Sequence, residues 1–204
     1  METLFFGGLG LIIGSFLNVL ILREGKRSIL GRSSCTSCKK ELGVLDLIPV
    51  FSWIYLRGAC RYCHSRISLQ YPLVEITTGL LFALVGFSPL PLVLKILGVL
   101  IMSLFVAITV YDIYHTVIPD MWSYGASFLA LLYGLFAAQD LFVGSVFLGG
   151  LVTALPLFAL WFVSNGRWMG LGDVKLAPAI GFLLGPITGL AAIFFAFIIG
   201  AVVS

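Results

Sequence analysis

The stretch "LPLVLKILGVLIMSLFVAITVYD", residues 90 to 112, decides the fold class. A helix that crosses the roughly 30 Å hydrocarbon layer of a bilayer takes about 20 mostly apolar residues. This run supplies them and then closes on an aspartate. Further apolar runs fall at 3–22, 70–88, 119–137, 141–163, 174–185 and 187–204. Together with the opening run they predict about seven helical passes. The whole composition agrees: 60% of the 204 residues are hydrophobic and 10% charged, more apolar surface than one water-soluble core hides. The expected fold is therefore all-α, a polytopic membrane helix bundle. A barrel is excluded because the runs do not alternate between apolar and polar residues.

Two runs call for comment. The sixth, 174–185, is short for a span, contains Pro178 and ends at Gly185-Pro186. It is expected to be broken, or to line a cavity where freed backbone groups find partners. The first resembles the apolar core of a signal peptide. Glu2 stands where a basic start belongs, however, and no small-residue cleavage signature follows, so the segment is expected to stay.

Charge gives the orientation. Nine of the twelve Lys and Arg residues lie between Arg23 and Arg66, against only Glu24, Glu41 and Asp46, so this polar stretch carries a net +6. A short loop rich in Lys and Arg is held in the cytoplasm. Counting passes from there brings the third run back inside at Tyr111 and the fifth back near Arg167, so Asp112 and Asp173 share the cytoplasmic face. The expected organisation is a first transmembrane helix (1–22), a small cytoplasmic loop domain inserted after it (23–69) and a membrane bundle (70–204). No internal repeat, low-complexity tract or heptad run is visible.

All four cysteines fall in that loop, as "CTSC" (Cys35, Cys38) and "CRYC" (Cys60, Cys63), with 21 residues between the pairs. Two such hairpins present four thiolates to one ion, the closed shell that structural Zn2+ prefers. Disulfides compete poorly in a reducing compartment. "CRYCH" also matches a covalent haem signature through His64, but that would leave the first pair without a purpose. The loop's basic residues have their reason in topology, and no stripe of aromatic residues interleaves with them, so nucleic acid is not an expected partner. The lipid bilayer is. Nothing in the sequence sets an oligomeric state.

Carboxylates near membrane helices are costly and mark function. Asp140, in "AAQDLF", is read as a solvated turn residue. Asp120 follows Pro119 at a helix start, where an acid suits the dipole. Glu75 lies about one turn into its helix and is open to pairing with Arg66 or to contact with a ligand. Asp112 ends a helix, where the dipole repels its charge. Asp173 reads either as a helix N-cap or as a functional acid. In "GLGD", Gly170 and Gly172 permit close backbone approach and unusual dihedrals, so an extended peptide fits against the turn. Two aspartates brought to one membrane face are what an aspartyl protease requires. His115 stands near enough in sequence to tune such a site, and no serine nucleophile elbow competes.

Several ordered motifs carry a family resemblance: "GSFLNVLILR" at 14–23, both cysteine pairs, "DLIPVFSWIYLRGACRYC" at 46–63, "ISLQYPLVE" at 67–75, "DIYHTVIPD" at 112–120 and "GLGDVKL" at 170–176. The chain resembles the bacterial type IV prepilin peptidases, which are leader peptidase/N-methyltransferases of the GxGD class of membrane aspartyl proteases. The resemblance implies that Asp112 and Asp173 are the catalytic pair. Prepilins and pseudopilins would be the substrates, cut after a glycine at the cytoplasmic face of the inner membrane. It also implies methylation of the new N-terminus with S-adenosylmethionine, although no glycine-rich nucleotide fingerprint marks a site for the donor; an enzyme with peptidase activity alone is the alternative. A further loop with a Pro-Phe-Gly-Pro-like stretch and another helix would follow "IIGAVVS" at 198–204. Two rivals from other classes are a transporter relaying protons through intramembrane acids and a nonenzymatic assembly protein with the metal loop as its platform. The first should show repeat symmetry and acids near the bilayer midplane.

Overall fold

A computed structural model describes residues 1–24, 31–138 and 143–203. Asp140 lies outside the described residues. The chain divides into two compact units, Met1–Leu90 and Pro91–Ser204. The first contains α1 (Glu2–Arg23), a 3-10 turn (Val44–Leu47), α2 (Phe51–Tyr55) and α3 (Gln70–Phe87). The second contains α4 (Leu92–His115), α5 (Asp120–Ala137), α6 (Gly144–Ser164), α7 (Leu171–Leu184) and α8 (Pro186–Val203). Each of the seven apolar runs is a helix, and no strand longer than an isolated bridge occurs among the described residues.

Four of these helices, α1, α3, α4 and α6, are long and apolar enough to cross a membrane. The protein is a multi-pass membrane protein. α8 (Pro186–Val203) is likewise apolar, α5 falls short of that combination of length and apolarity, and α7 has only 14 residues.

Helices in lipid gain little from hiding apolar surface against each other, so close approach of small residues takes over. α1 and α3 follow this rule. A Cβ added at Gly10 would lie 2.7 Å from the Thr78 carbonyl, and one at Gly14 would lie 2.7 Å from Glu75 Cα. At the far end of the crossing Gly86 packs on Phe6. At the near end Asn18 is fully buried, its Nδ2 donating to the Tyr71 carbonyl of α3 at 3.2 Å and to the Gly14 carbonyl at 3.3 Å.

The second unit is organised around α7, which packs against α5, α6 and α8. Gly149 of α6 and Gly181 of α7 approach so closely that a methyl group on either would strike the other's carbonyl. One turn along, the buried Thr153 hydroxyl lies 3.0 Å from the Ala177 carbonyl, a polar link across the same contact. Leu157, Ala177 and Ile193 form a core shared by α6, α7 and α8. Of the two expectations for the 174–185 run, a break or a place lining a cavity, the break does not occur. Proline removes only one N–H from the ladder, and the tight packing on three sides keeps α7 continuous until Gly185, whose φ of 78° ends it.

Candidate active site

The "DIYHTVIPD" and "GLGD" motifs form the two walls of one cavity. α4 stops when Thr116 enters the left-handed region (φ 53°, ψ 31°), its N–H donating to the Asp112 carbonyl at 2.7 Å. Three residues later the extended Pro119 caps α5. The cavity of about 350 Å³ is lined by Asp112 with residues 116–118 and 120 on one side, and by residues 170–173 on the other. Both aspartates singled out from sequence therefore border the same space, 61 positions apart in the chain.

Their backbone settings are opposite. Asp112 sits in the last turn of α4, where the helix dipole opposes a negative charge; Asp173 is the third residue of α7, where the dipole favours one. The N-cap alternative for Asp173 is corrected, because Gly170 occupies that position. Unusual glycine dihedrals are corrected as well. Gly170 is ordinarily extended (φ −73°, ψ 153°) and Gly172 is helical. Close approach does hold for Gly172, where an added Cβ would lie 3.0 Å from Ile118 Cβ. Gly170 is open, with nothing nearer to such an atom than the Gly172 nitrogen at 3.9 Å.

Sequence reasoning missed the third carboxylate's partner. Asp120 borders the cavity and begins α5 as expected, but it also accepts an ion pair from Lys175 at 2.6 Å. Lys175 is aligned by Tyr124, whose ring centroid is 5.7 Å away. Among the described residues no Lys or Arg pairs with Asp112 or Asp173. His115 does not line the cavity; its ring stacks on Tyr111 at 4.2 Å, with Nδ1 3.2 Å from the Tyr111 carbonyl.

The cysteines occupy two knuckles of one design. In the first, Cys35 N–H donates to the Lys40 carbonyl and Lys39 N–H to the Cys35 carbonyl; in the second, Cys60 N–H donates to Ser65 and His64 N–H to Cys60. Lys39 and His64, the fifth residues of the knuckles, both take positive φ, at 60° and 55°. This short structural repeat escaped the sequence because each copy spans so few residues. The knuckles meet through Lys40, 4.1 Å over the Tyr62 ring. The Asp46–Arg61 pair at 2.7 Å binds the 3-10 turn to the second knuckle.

The four Sγ atoms lie within 4.8 Å of one another, and the Cys35–Cys63 pair is at 3.8 Å. A tetrahedral shell with metal–sulfur bonds of about 2.3 Å places sulfurs roughly 3.8 Å apart, so the cluster can hold a metal ion. The Cys35 thiol is drawn down to about 6 by the backbone N–H groups of Cys38 and Ser37, against the effect of burial. The Lys40 N–H pulls Cys38 the same way, yet desolvation, hydrogen bonds to Cys63 and Cys35 and the nearby Cys35 charge leave it pushed up to about 11. The hydroxyl and N–H of Ser65 lower Cys63. His64 is exposed and stands outside the group.

Glu75 does not pair with Arg66 among the described residues. Its buried carboxylate accepts the Val50 N–H at 2.7 Å, where Val50 takes φ 63° at the start of α2. The loop is thereby anchored to α3. A backbone donor leaves no mark in the sequence that could have revealed this partner.

An all-helical, multi-pass membrane protein with two aspartates on one cavity and four clustered thiols in its first polar loop is the class these observations define. The bacterial peptidase A24 N-terminal domain profile matches residues 9–88, and the type IV leader peptidase family profile matches residues 99–204. The chain belongs to the type IV leader peptidase family. It is 34% identical to a prepilin leader peptidase/N-methyltransferase of Pectobacterium carotovorum, over 88% of this chain and 74% of that protein. It is 35% identical to one of Bacillus subtilis, over 94% of this chain and 77% of the relative. A type 4 prepilin-like proteins leader peptide-processing enzyme of Escherichia coli is 33% identical over 88% and 76%. No solved structure matches the chain.

Proposed function

We propose that this chain is a membrane aspartyl endopeptidase that removes the leader peptides of type IV prepilins and pseudopilins, with Asp112 and Asp173 as its catalytic pair. The observation that supports this reading most directly is the convergence of both aspartates on one cavity at the ends of α4 and α7. Two carboxyls bordering one cavity can divide the roles of base and acid, one ionised and one protonated. The ionised member takes a proton from water as the oxygen attacks the scissile carbonyl; the protonated member donates to the carbonyl oxygen. The amine then leaves with a proton returned by the pair. Gly170 leaves room for the extended substrate strand beside Asp173, and the third acid bordering the cavity, Asp120, is paired with Lys175.

The same reading takes the loop 23–69 as a cytoplasmic domain clamped by Zn2+ on Cys35, Cys38, Cys60 and Cys63. The bundle 70–204 carries the protease site at the cytoplasmic face of the inner membrane. It also extends to methylation of the new N-terminus with S-adenosylmethionine, which the relatives' names support.

The test is cleavage of a prepilin by the purified protein in lipid, followed by mass spectrometry of the product's N-terminus. The expected result is a cut after glycine with a methylated amine. Asp112→Asn and Asp173→Asn should each slow cleavage by at least about 100-fold; near-normal rates in either variant would overturn the assignment.

A further inference from the structure

α2 is inverted relative to a helix that meets water. Phe51, Ile54 and Tyr55 are 68%, 61% and 81% exposed, and their i, i+3, i+4 spacing puts them on one face. Trp53 turns the other way, packing on Gly58 and donating its indole N–H to the Ile67 carbonyl at 3.3 Å. Upstream, Val44 and Leu45 add to the exposed apolar surface. Contiguous apolar surface of this kind marks an interaction site.

Two hydrogen bonds fix its level. The Val50 N–H, at the start of α2, is held by Glu75. Glu75 is the sixth residue of α3, about 7.5 Å along the helix axis from its first residue. Asn18, five residues before the end of α1, is likewise bonded to Tyr71 at the start of α3. α1 and α3 are both membrane-crossing helices. The start of α2 thus lies beside the first turns of a span and not beyond its end, at the boundary of headgroups and acyl chains. Arg57, two residues after α2, and Arg66, four residues before α3, line a cavity of about 620 Å³ together with Leu69. An apolar face followed by cations is the pattern of an element lying in a membrane surface, and the cations match lipid phosphates.

We propose that the Phe51, Ile54 and Tyr55 face of α2 beds in the interfacial layer of the bilayer, with Arg57 and Arg66 contacting the phosphates of anionic phospholipids. The loop that carries the cysteine cluster is then laid along the membrane surface by α2 and does not hang free from α1 and α3.

The experiment uses the full chain in nanodiscs of phosphatidylcholine and phosphatidylglycerol, with p-benzoylphenylalanine in place of Phe51 or Tyr55. Ring-for-ring exchange at these exposed positions leaves packing intact. After illumination, mass spectrometry should find lipid adducts at both positions, with phosphatidylglycerol enriched above its share of the disc. Arg57→Gln and Arg66→Gln should each lower that enrichment, by roughly fivefold at most. Failure to form lipid adducts overturns the proposal, as do adducts confined to an added prepilin or a second copy of the chain, which would make the face a protein dock. An enrichment unmoved by either arginine variant overturns the phosphate contact.

Discussion

Gly170 and Gly172 stand two positions apart yet lack side chains for different reasons, and substitution separates them. At Gly172 an added methyl meets Ile118, whose β-branched side chain has little freedom to retreat. Gly172→Ala should destabilise the protein by about 1 kcal/mol, the lower end of overpacking costs, and should slow cleavage by displacing the wall beside Asp173. Thermal unfolding and leader-cleavage kinetics check both. Gly170→Ala meets no neighbour and suits its extended backbone, so unfolding should be unchanged or slightly later. If the substrate strand runs through this opening, KM for prepilin should rise while stability does not fall. That both acids border one cavity agrees with the sequence, where a carboxylate at a helix C-terminus and one behind two glycines each call for explanation. The Lys175–Asp120 pair was not legible there, because its members are 55 positions apart and each has an ordinary reason to stand where it does.

At the scale of elements, the apolar runs foretold the helices to within a few residues because lipid imposes length and apolarity together. They said nothing of α2, whose five residues are too few to show a period, and nothing of what holds helices to one another. That information lies in glycines and small polar residues. Gly181→Leu would force α6 and α7 apart where their backbones nearly touch, and should cost at least about 2 kcal/mol. It should also reduce cleavage, since α7 carries Asp173. Thr153→Val, which removes the hydroxyl shared among the Gly149, Gly150 and Ala177 carbonyls, should cost about 0.6 kcal/mol. Denaturation in detergent distinguishes the two. The two cysteine knuckles carry the same lesson in the loop, since their spacing announced a cluster while their shared turn geometry, with Lys39 and His64 in matching conformations, emerges only when the chain is folded.

For the molecule as a whole, all four cysteines that could hold a metal ion belong to the first unit. Chelation should therefore speed hydrogen exchange in residues 31–69 and leave 91–138 unaffected. The pH dependence follows from the thiols. Cys38, at about 11 without metal, keeps its proton at neutral pH and must release it on binding, whereas Cys35, at about 6, is already ionised. Acid therefore weakens binding. Apparent affinity should fall at least roughly tenfold between pH 8 and 7, one proton displaced per unit, and more steeply below pH 6 where Cys35 also protonates. Competition with a chromophoric chelator measures this. α7 has a different consequence. Its 14 residues extend about 21 Å, so an acyl layer of ordinary depth outreaches it, and on the side of α7 that meets lipid the bilayer would shorten locally or the helix would sink. The aspartate on its first turn would then sense lipid chain length, and prepilin processing should be faster in vesicles of short-chain lipids than in long-chain ones.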